Sequence, residues 1–328
     1  MAAETVRSRF RKVLAGERPL DRLPVVEWAM WWHLTVQRWH GEGLPPGLDI
    51  SGIKRFFGLD VDYQLWFPQW APRATPRLIR DEADYEALLP SLYPDPVPFD
   101  RELWRQRAQE QARGEVVLWL TVEGFFWWPR VLLGIEPHLY AFYDQPRLLQ
   151  RINEDQVRYA VRCFDAFCDF AVPDFITVAE DMSYNHGPMI GRDLFERFMA
   201  PYYRALLPRI HARGVPVLVD SDGDVEPLIP WLEEVGVDGI LPLERMAGVD
   251  VLRIRGEHPD WRMIGAFDKT TMDRGEAAMR EEFERLLPVM RSGMFIPSVD
   301  HQTPPAVSTD QYRLYLRLLR EYAARAVQ

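Results

Sequence analysis

The chain has 328 residues, of which 47% are hydrophobic, enough for a large packed core. A formal net charge of −10 with no basic stripe excludes nucleic acid and anionic membrane surfaces as partners. No apolar run approaches the ~20 residues of a membrane span. The opening MAAETVRSRFRKVLAG lacks the apolar stretch and cleavage site of a signal peptide, so a cytoplasmic location is expected.

That opening reads as an amphipathic helix, an N-terminal helical segment ahead of the first strand. PVVEW (24–28) is a candidate first strand and VDYQLWF (61–67) a weaker second. From Pro68 to Phe99 the chain is rich in proline and without periodicity. An irregular excursion is expected there, with short helices or loops over the mouth of the fold. VVLWLTV (116–122) is a third strand. Cys163 and Cys168 lie five apart in a helical stretch and read as small core residues in a reducing compartment.

The second half has a clear beat. FITVAED (175–181) precedes a helix from about Asp193 to Arg213. VPVLVDSD (215–222) precedes a helix over Val225–Val235. GILPLE (239–244) is followed by a short helix near Asp250–Arg255. WRMIGAFD (261–268) precedes Gly275–Arg291, and MFIPSVDH (294–301) precedes Thr309–Ala326. Ser308 with Gln311 forms a capping box for the last helix. Strands alternating with helices imply parallel pairing with helical crossovers. Eight candidate strands are the number that a (β/α)8 TIM barrel needs, here as one domain over 1–328. A doubly wound open sheet is the alternative. No glycine-rich phosphate fingerprint follows any strand, so no nucleotide cofactor is expected.

Each late strand ends in acid: Glu180 and Asp181, then Asp220 and Asp222, Glu244, Asp268, and Asp300 with His301. In a barrel those ends meet at one face, where catalytic groups sit. Capping of a helix N-terminus accounts for Asp222, Asp224 or Asp268 taken singly, but less well for five strands together. Carboxylates gathered in one cleft need a cation, a shared proton or an arginine. Asp220, Asp222 and His301 form a candidate metal triad, since D-x-D spacing places two side chains on one face of a strand end. Two carboxylates and an imidazole suit a divalent Zn, Mn or Fe ion. Glu180 and Asp181 are the acid–base candidates, with Tyr184 and His186 in the same loop. Among the 12 tryptophans, clusters occur in WAMWWH (28–33) and FFWWPR (125–130). Both clusters, with Trp127, Trp128 and the adjacent Arg130 in the second, read either as core packing or as the wall of a pocket for a flat or apolar ligand.

In order and spacing, LLGIEPHLYAFYDQP (132–146), EDMSYNHGPMI (180–190), PYYR (201–204), VDSDGDVEPLI (219–229), GVDGILPLE (236–244), IGAFDK (264–269) and FIPSVDHQTPP (295–305) resemble the uroporphyrinogen decarboxylase superfamily. The likeness covers roughly residues 25–325, and the superfamily includes the cobalamin-linked methyltransferases. It implies a (β/α)8 barrel. In the methyltransferases an H-x-C-G motif after the fifth strand and a cysteine after the eighth hold zinc, which activates a thiol. The matching places here are Asp220, Asp222 and His301. A sulfur-free set is less apt for thiolate activation and leaves methyl transfer or demethylation at oxygen or nitrogen. In the decarboxylases His301 matches the histidine of L-G-H-G. Their R-Q-A-G-R-Y motif, which clamps substrate carboxylates, corresponds to EWAMWWHLTVQRWHGEGLP (27–45), with Arg38 as its one arginine.

Three functions follow as expectations. The first is metal-dependent one-carbon transfer or demethylation on a small molecule. There Asp220, Asp222 and His301 hold the ion, Glu180 or Asp181 moves the proton, and Tyr184, His186, Glu244 and Asp268 contact the substrate or support the site. The second is cofactor-independent decarboxylation with His301 as a proton donor. The third is a barrel that binds a ligand or a corrinoid protein without chemistry. The resemblance also implies a homodimer.

Overall fold

The computed structural model describes residues 4–69 and 78–328. In chain order the elements begin with α1 (Val6–Leu14), α2 (His33–Gly41), α3 (Ile50–Phe56) and β1 (Val61–Trp66). They continue with α4 (Glu82–Leu92), α5 (Arg101–Ala112), β2 (Val116–Glu123), α6 (Trp127–Leu133), α7 (Ile135–Asp144) and α8 (Pro146–Cys168). After β3 (Phe175–Ala179) comes a two-stranded ribbon, β4 (Ser183–Tyr184) and β5 (Gly187–Pro188), then α9 (Arg192–Phe198), α10 (Ala200–His211) and β6 (Val217–Asp220). The chain ends with α11 (Ile229–Val235), β7 (Gly239–Leu241), α12 (Val251–Glu257), β8 (Arg262–Phe267), α13 (Glu276–Arg291), β9 (Phe295–Val299) and α14 (Thr309–Arg325).

Seven strands form one parallel sheet in the order β1-β2-β3-β6-β7-β8-β9. Parallel strands covered by helices bury both faces, which is why β2 reads VVLWLTVE with every residue buried. The register sets Ala179 beside Asp220 and Trp66 beside Thr121, so the C-terminal strand ends share one level. The fold is the α/β TIM barrel expected from the strand count.

The first expected strand differs. Residues 24–28 form no regular strand or ladder among the described residues. They bridge the two edges of the sheet, mostly through side chains. Asp60 N donates to Val25 O (2.8 Å), and the Asp60 carboxylate accepts from Val25 N (2.9 Å). On the other side Ser298 Oγ donates to Val26 O (3.0 Å), and Trp28 Nε1 donates to Val299 O (2.6 Å). Glu27 is buried in this seam, accepting from Ser298 Oγ and Tyr312 Oη, and burial pushes its carboxyl up to about 8.

The helix expected over 193–213 breaks at Met199 into α9 and α10, and the one over 225–235 begins with a 3-10 turn at Glu226–Leu228. The Ser308–Gln311 capping box forms at α14. The excursion after β1 carries α4, and its residues 70–77 lie outside the described residues. Cys163 is buried and Cys168 half-buried on α8, both as free thiols. Among the described residues no helix is long and apolar enough to cross a membrane.

Candidate functional site

At the C-terminal ends of the strands lies a cavity of about 240 Å³. Trp28 and Met30 line it from the seam, Gln64 and Trp66 from β1, and Trp119 from β2. Trp127 joins them from α6, with Ala179 and Asp181 at the end of β3, Asp220 and Asp222 at the end of β6, and His301 and Gln302 after β9. The floor is held by a polar chain inside the barrel. Gln64 Nε2 donates to Thr121 Oγ1 and Trp119 Nε1 to Thr177 Oγ1, both at 2.8 Å, and the two threonine hydroxyls lie 2.9 Å apart.

The acids divide by environment. No hydrogen-bond donor reaches the Asp220 carboxylate among the described residues, and burial with Asp222 and Asp181 nearby holds its carboxyl well above the usual range. Burial, then the charges of Glu244 and Asp181, push Asp222 up to about 7, against the pull of Lys269. Asp222 Oδ2 stands 3.5 Å from His301 Nε2. Burial and the Lys269 charge lower the His301 imidazole. Asp181 is raised by burial although Arg130 pairs with it at 3.0 Å. Its φ of 41° is uncommon for a side-chain-bearing residue. Arg130 Nη1 fixes it by donating to both the Asp181 carbonyl (2.8 Å) and its carboxylate, while the guanidinium lies 4.9 Å from the centre of the Trp127 ring.

Several expected residues stand elsewhere. Glu180 is fully buried and does not line the cavity. Its carboxylate accepts from the backbone N–H groups of Phe125 (2.9 Å), Phe126 (2.7 Å) and Trp127 (3.2 Å), and from Tyr203 Oη (2.6 Å). These are orphan donors at the start of α6, and the carboxylate serves as their cap. Gly124 permits the approach, since a Cβ there would overlap the Glu180 carboxyl and the Ala179 carbonyl. Burial outweighs these donors and pushes Glu180 up to about 7. Glu180, expected as an acid–base candidate, thus stands behind the cavity as the acceptor for the head of α6.

Trp128 is likewise buried, its Nε1 donating to Tyr93 Oη (2.7 Å), and does not line this cavity. Asp268 caps the 3-10 turn Lys269–Arg274 through Thr270 N (2.8 Å) and Thr270 Oγ1 (2.6 Å), and does not line the cavity. Tyr184 and His186 sit at the ribbon β4–β5, with Tyr184 50% exposed and their rings packed on each other, outside the cavity lining.

Glu244 lies behind the cavity wall, accepting from Gly223 N (2.9 Å) and pairing with Lys269 (3.4 Å). Lys269 also pairs with the fully buried Asp300 (3.3 Å), whose carboxyl burial raises to about 6. Asp220, Asp222 and His301 do border one cavity. Among the described residues, however, no three His, Cys, Asp or Glu side chains converge as a metal site. The residues present therefore do not fit a preformed divalent-ion centre.

Trp66, Trp119 and Gln64 were not expected as site residues, whereas Trp28 comes from the WAMWWH cluster that reads as a candidate pocket wall. The indole of Trp66 gave one usable signal, as it ends a strand. Trp119 gave none, because both faces of β2 are apolar.

The raised acids set a pH dependence. A carboxyl whose folded value of about 7 exceeds its unfolded 3.8 stabilises the fold fully below about pH 4. That contribution is lost as pH rises, and the loss is complete above about 7. Asp222→Asn and Asp220→Asn are therefore expected to melt higher than the wild type at about pH 8. At about pH 4 they should melt no higher than the wild type, as scanning calorimetry at the two pH values would show.

A solved structure of a methyltransferase from Methanosarcina mazei matches with a TM-score of 0.67 at 13% identity, covering 97% of this chain and 98% of that one. A structure described as a putative vitamin-B12-independent methionine synthase from Listeria monocytogenes matches with a TM-score of 0.47 at 13% identity, covering 94% and 97%. No curated protein matches by sequence. The family model for uroporphyrinogen decarboxylase (URO-D) matches residues 34–322, on the same barrel and the same strand ends that build the cavity. The chain belongs to the uroporphyrinogen decarboxylase (URO-D) family.

Proposed function

We propose that the chain is an enzyme that transfers or removes a methyl group on a small substrate held in the cavity at the strand ends. The carrying observation is the lining: Asp181, Asp220, Asp222, His301 and four indoles, with no lysine or arginine among the described residues. A porphyrinogen bearing several carboxylates would find no lysine or arginine in that lining to pair with them, and would meet about 1–4 kcal/mol of repulsion for each close acid that is ionised. The cavity is also smaller than the roughly 300–1,000 Å³ of sites for larger ligands. Family membership supports enzymatic chemistry, and the Methanosarcina mazei methyltransferase with the same fold supports methyl transfer as its class.

In this mechanism an acceptor nucleophile attacks the methyl carbon and the substrate heteroatom leaves with the electron pair of the broken bond. Asp222 and His301, 3.5 Å apart, face that heteroatom in this reading, Asp222 ionised as base or counter-charge and His301 as the group that holds a proton there. Asp181, clamped by Arg130, orients the substrate. The acceptor is a thiol or the reduced cobalt of a corrinoid protein presented at the cavity mouth.

The test is incubation with methyl ethers and methylated amines, with a thiol or reduced cobalamin as acceptor, followed by mass spectrometry of both products. Loss of methyl from substrate and its gain by acceptor is expected, with uroporphyrinogen left intact. Appearance of less carboxylated porphyrinogens would overturn the proposal. Protein purified without chelator is expected to carry less than one equivalent of Zn, Mn or Fe. A full equivalent that disappears in Asp220→Ala would restore the metal triad.

A further inference from the structure

The cavity pairs two features that ask for the same kind of ligand. Its carboxylates lack a counter-ion. No protein donor reaches Asp220, and Asp222 meets only His301 at 3.5 Å among the described residues. The nearest cations are already committed, Arg130 to Asp181 and Lys269 to Glu244 and Asp300. Carboxyls gathered out of water either keep their protons or gain a positive partner, and a cation in the cavity would favour their ionised forms.

The walls decide which cation fits. A small ion needs several acceptors aimed at one point, and among the described residues no such set exists. The cavity instead offers Trp28, Trp66, Trp119 and Trp127. Trp28 spends its N–H on Val299 O and Trp119 on Thr177 Oγ1. Those two indoles therefore offer the cavity carbon and π density in place of hydrogen bonds. A broad, weakly hydrated cation is what an indole wall beside carboxylates holds best. The edge of the same cavity already shows this arrangement: the Arg130 guanidinium lies over Trp127 with its charge on Asp181.

We infer that the cavity binds a methylated ammonium ion, its methyl groups against the indoles and its charge facing Asp220 and Asp222. The inference rests on the reading of this cavity as the substrate site and names the substrate class for it. About 240 Å³ admits such a headgroup.

Isothermal titration calorimetry with tetramethylammonium chloride, at constant ionic strength set with sodium chloride, tests it. Tert-butanol serves as the neutral probe of similar shape and pivalate as the anionic one. Saturable binding of tetramethylammonium is expected, at least tenfold tighter than tert-butanol, with no binding of pivalate. Asp222→Asn and Trp127→Leu should each weaken it tenfold or more. Tyr143→Ala, on an exposed part of α7, should leave it unchanged. Asp222→Asn is expected to keep the fold, so it remains informative if Trp127→Leu does not. Equal binding of tetramethylammonium and tert-butanol, or unchanged binding in Asp222→Asn, overturns the inference. Demethylation of an aryl ether without tetramethylammonium binding removes the ammonium class and leaves the proposed methyl transfer standing. Tetramethylammonium binding with no methyl released from any substrate supports the ligand class and removes methyl transfer.

Discussion

Glu180→Ala is expected to cost roughly 4 kcal/mol of folding stability, a large share of the 5–15 kcal/mol that holds a typical domain. The carboxylate is the common acceptor for three backbone N–H groups at the head of α6 and for the Tyr203 hydroxyl. Alanine leaves four buried donors without a partner, at about 1–3 kcal/mol each before relaxation and water entry reduce the sum. The loss reaches the cavity too, because the third donor belongs to Trp127, which forms one of its walls. Urea denaturation followed by tryptophan fluorescence gives the measurement. Glu180→Gln keeps one carbonyl oxygen but turns an amide N–H₂ toward two donors, and should fall between wild type and alanine. The wild type should also lose stability as pH rises from about 4.5 through 7, since burial raises this acid and its ionisation in the fold is unfavourable. A Glu180→Ala protein as stable as the wild type but devoid of activity would return Glu180 to the chemistry.

His301→Ala and Asp222→Asn should each lower the turnover of the demethylation assay by about 10²–10⁴, the range of positioned acid–base groups. Both border the cavity, and their side chains face each other at 3.5 Å. The pH profile separates a chemical role from a merely structural one. Asp222 is pushed up to about 7, so it carries charge only on the alkaline side. Wild-type kcat/KM is expected to fall as pH drops through about 7, where Asp222 takes up its proton and no longer serves as base or counter-charge. In Asp222→Asn that inflection should vanish and leave a flat, low profile. An inflection that persists unchanged in Asp222→Asn would assign the ionisation to another group.

Most of the barrel was legible because strand and helix patterns alternate with little ambiguity after residue 175. The seam was not. PVVEW has the composition of a strand, but the Val25 N–H goes to the Asp60 carboxylate, and Ser298 and Trp28 make their bonds through side chains. Composition records which residues favour an extended backbone and says nothing of which partner accepts each bond. The candidate site was half legible for a related reason. Neighbours at a strand end face opposite ways, so Glu180 and Asp181 look alike in sequence, while one turns inward under α6 and the other borders the cavity. Trp127 and Trp128 divide in the same manner on a helix, where consecutive side chains point about 100° apart. Asp268 shows the converse case, an acid at the right level of the barrel that its own turn consumes.

The side-chain closure of the barrel has a mechanical meaning. A ladder resists opening along its whole length, because each bond shares the load with its neighbours. Residues 24–28 instead hang from a few discrete attachments, two of them on Trp28 and Ser298. Trp28 also borders both the acid-lined cavity and a second one beside it that reaches Lys54 and Arg107. The indole is thus part of a wall shared by two compartments, together with Met30, Gln64 and Trp66, so that the shape of one space is coupled to the shape of the other.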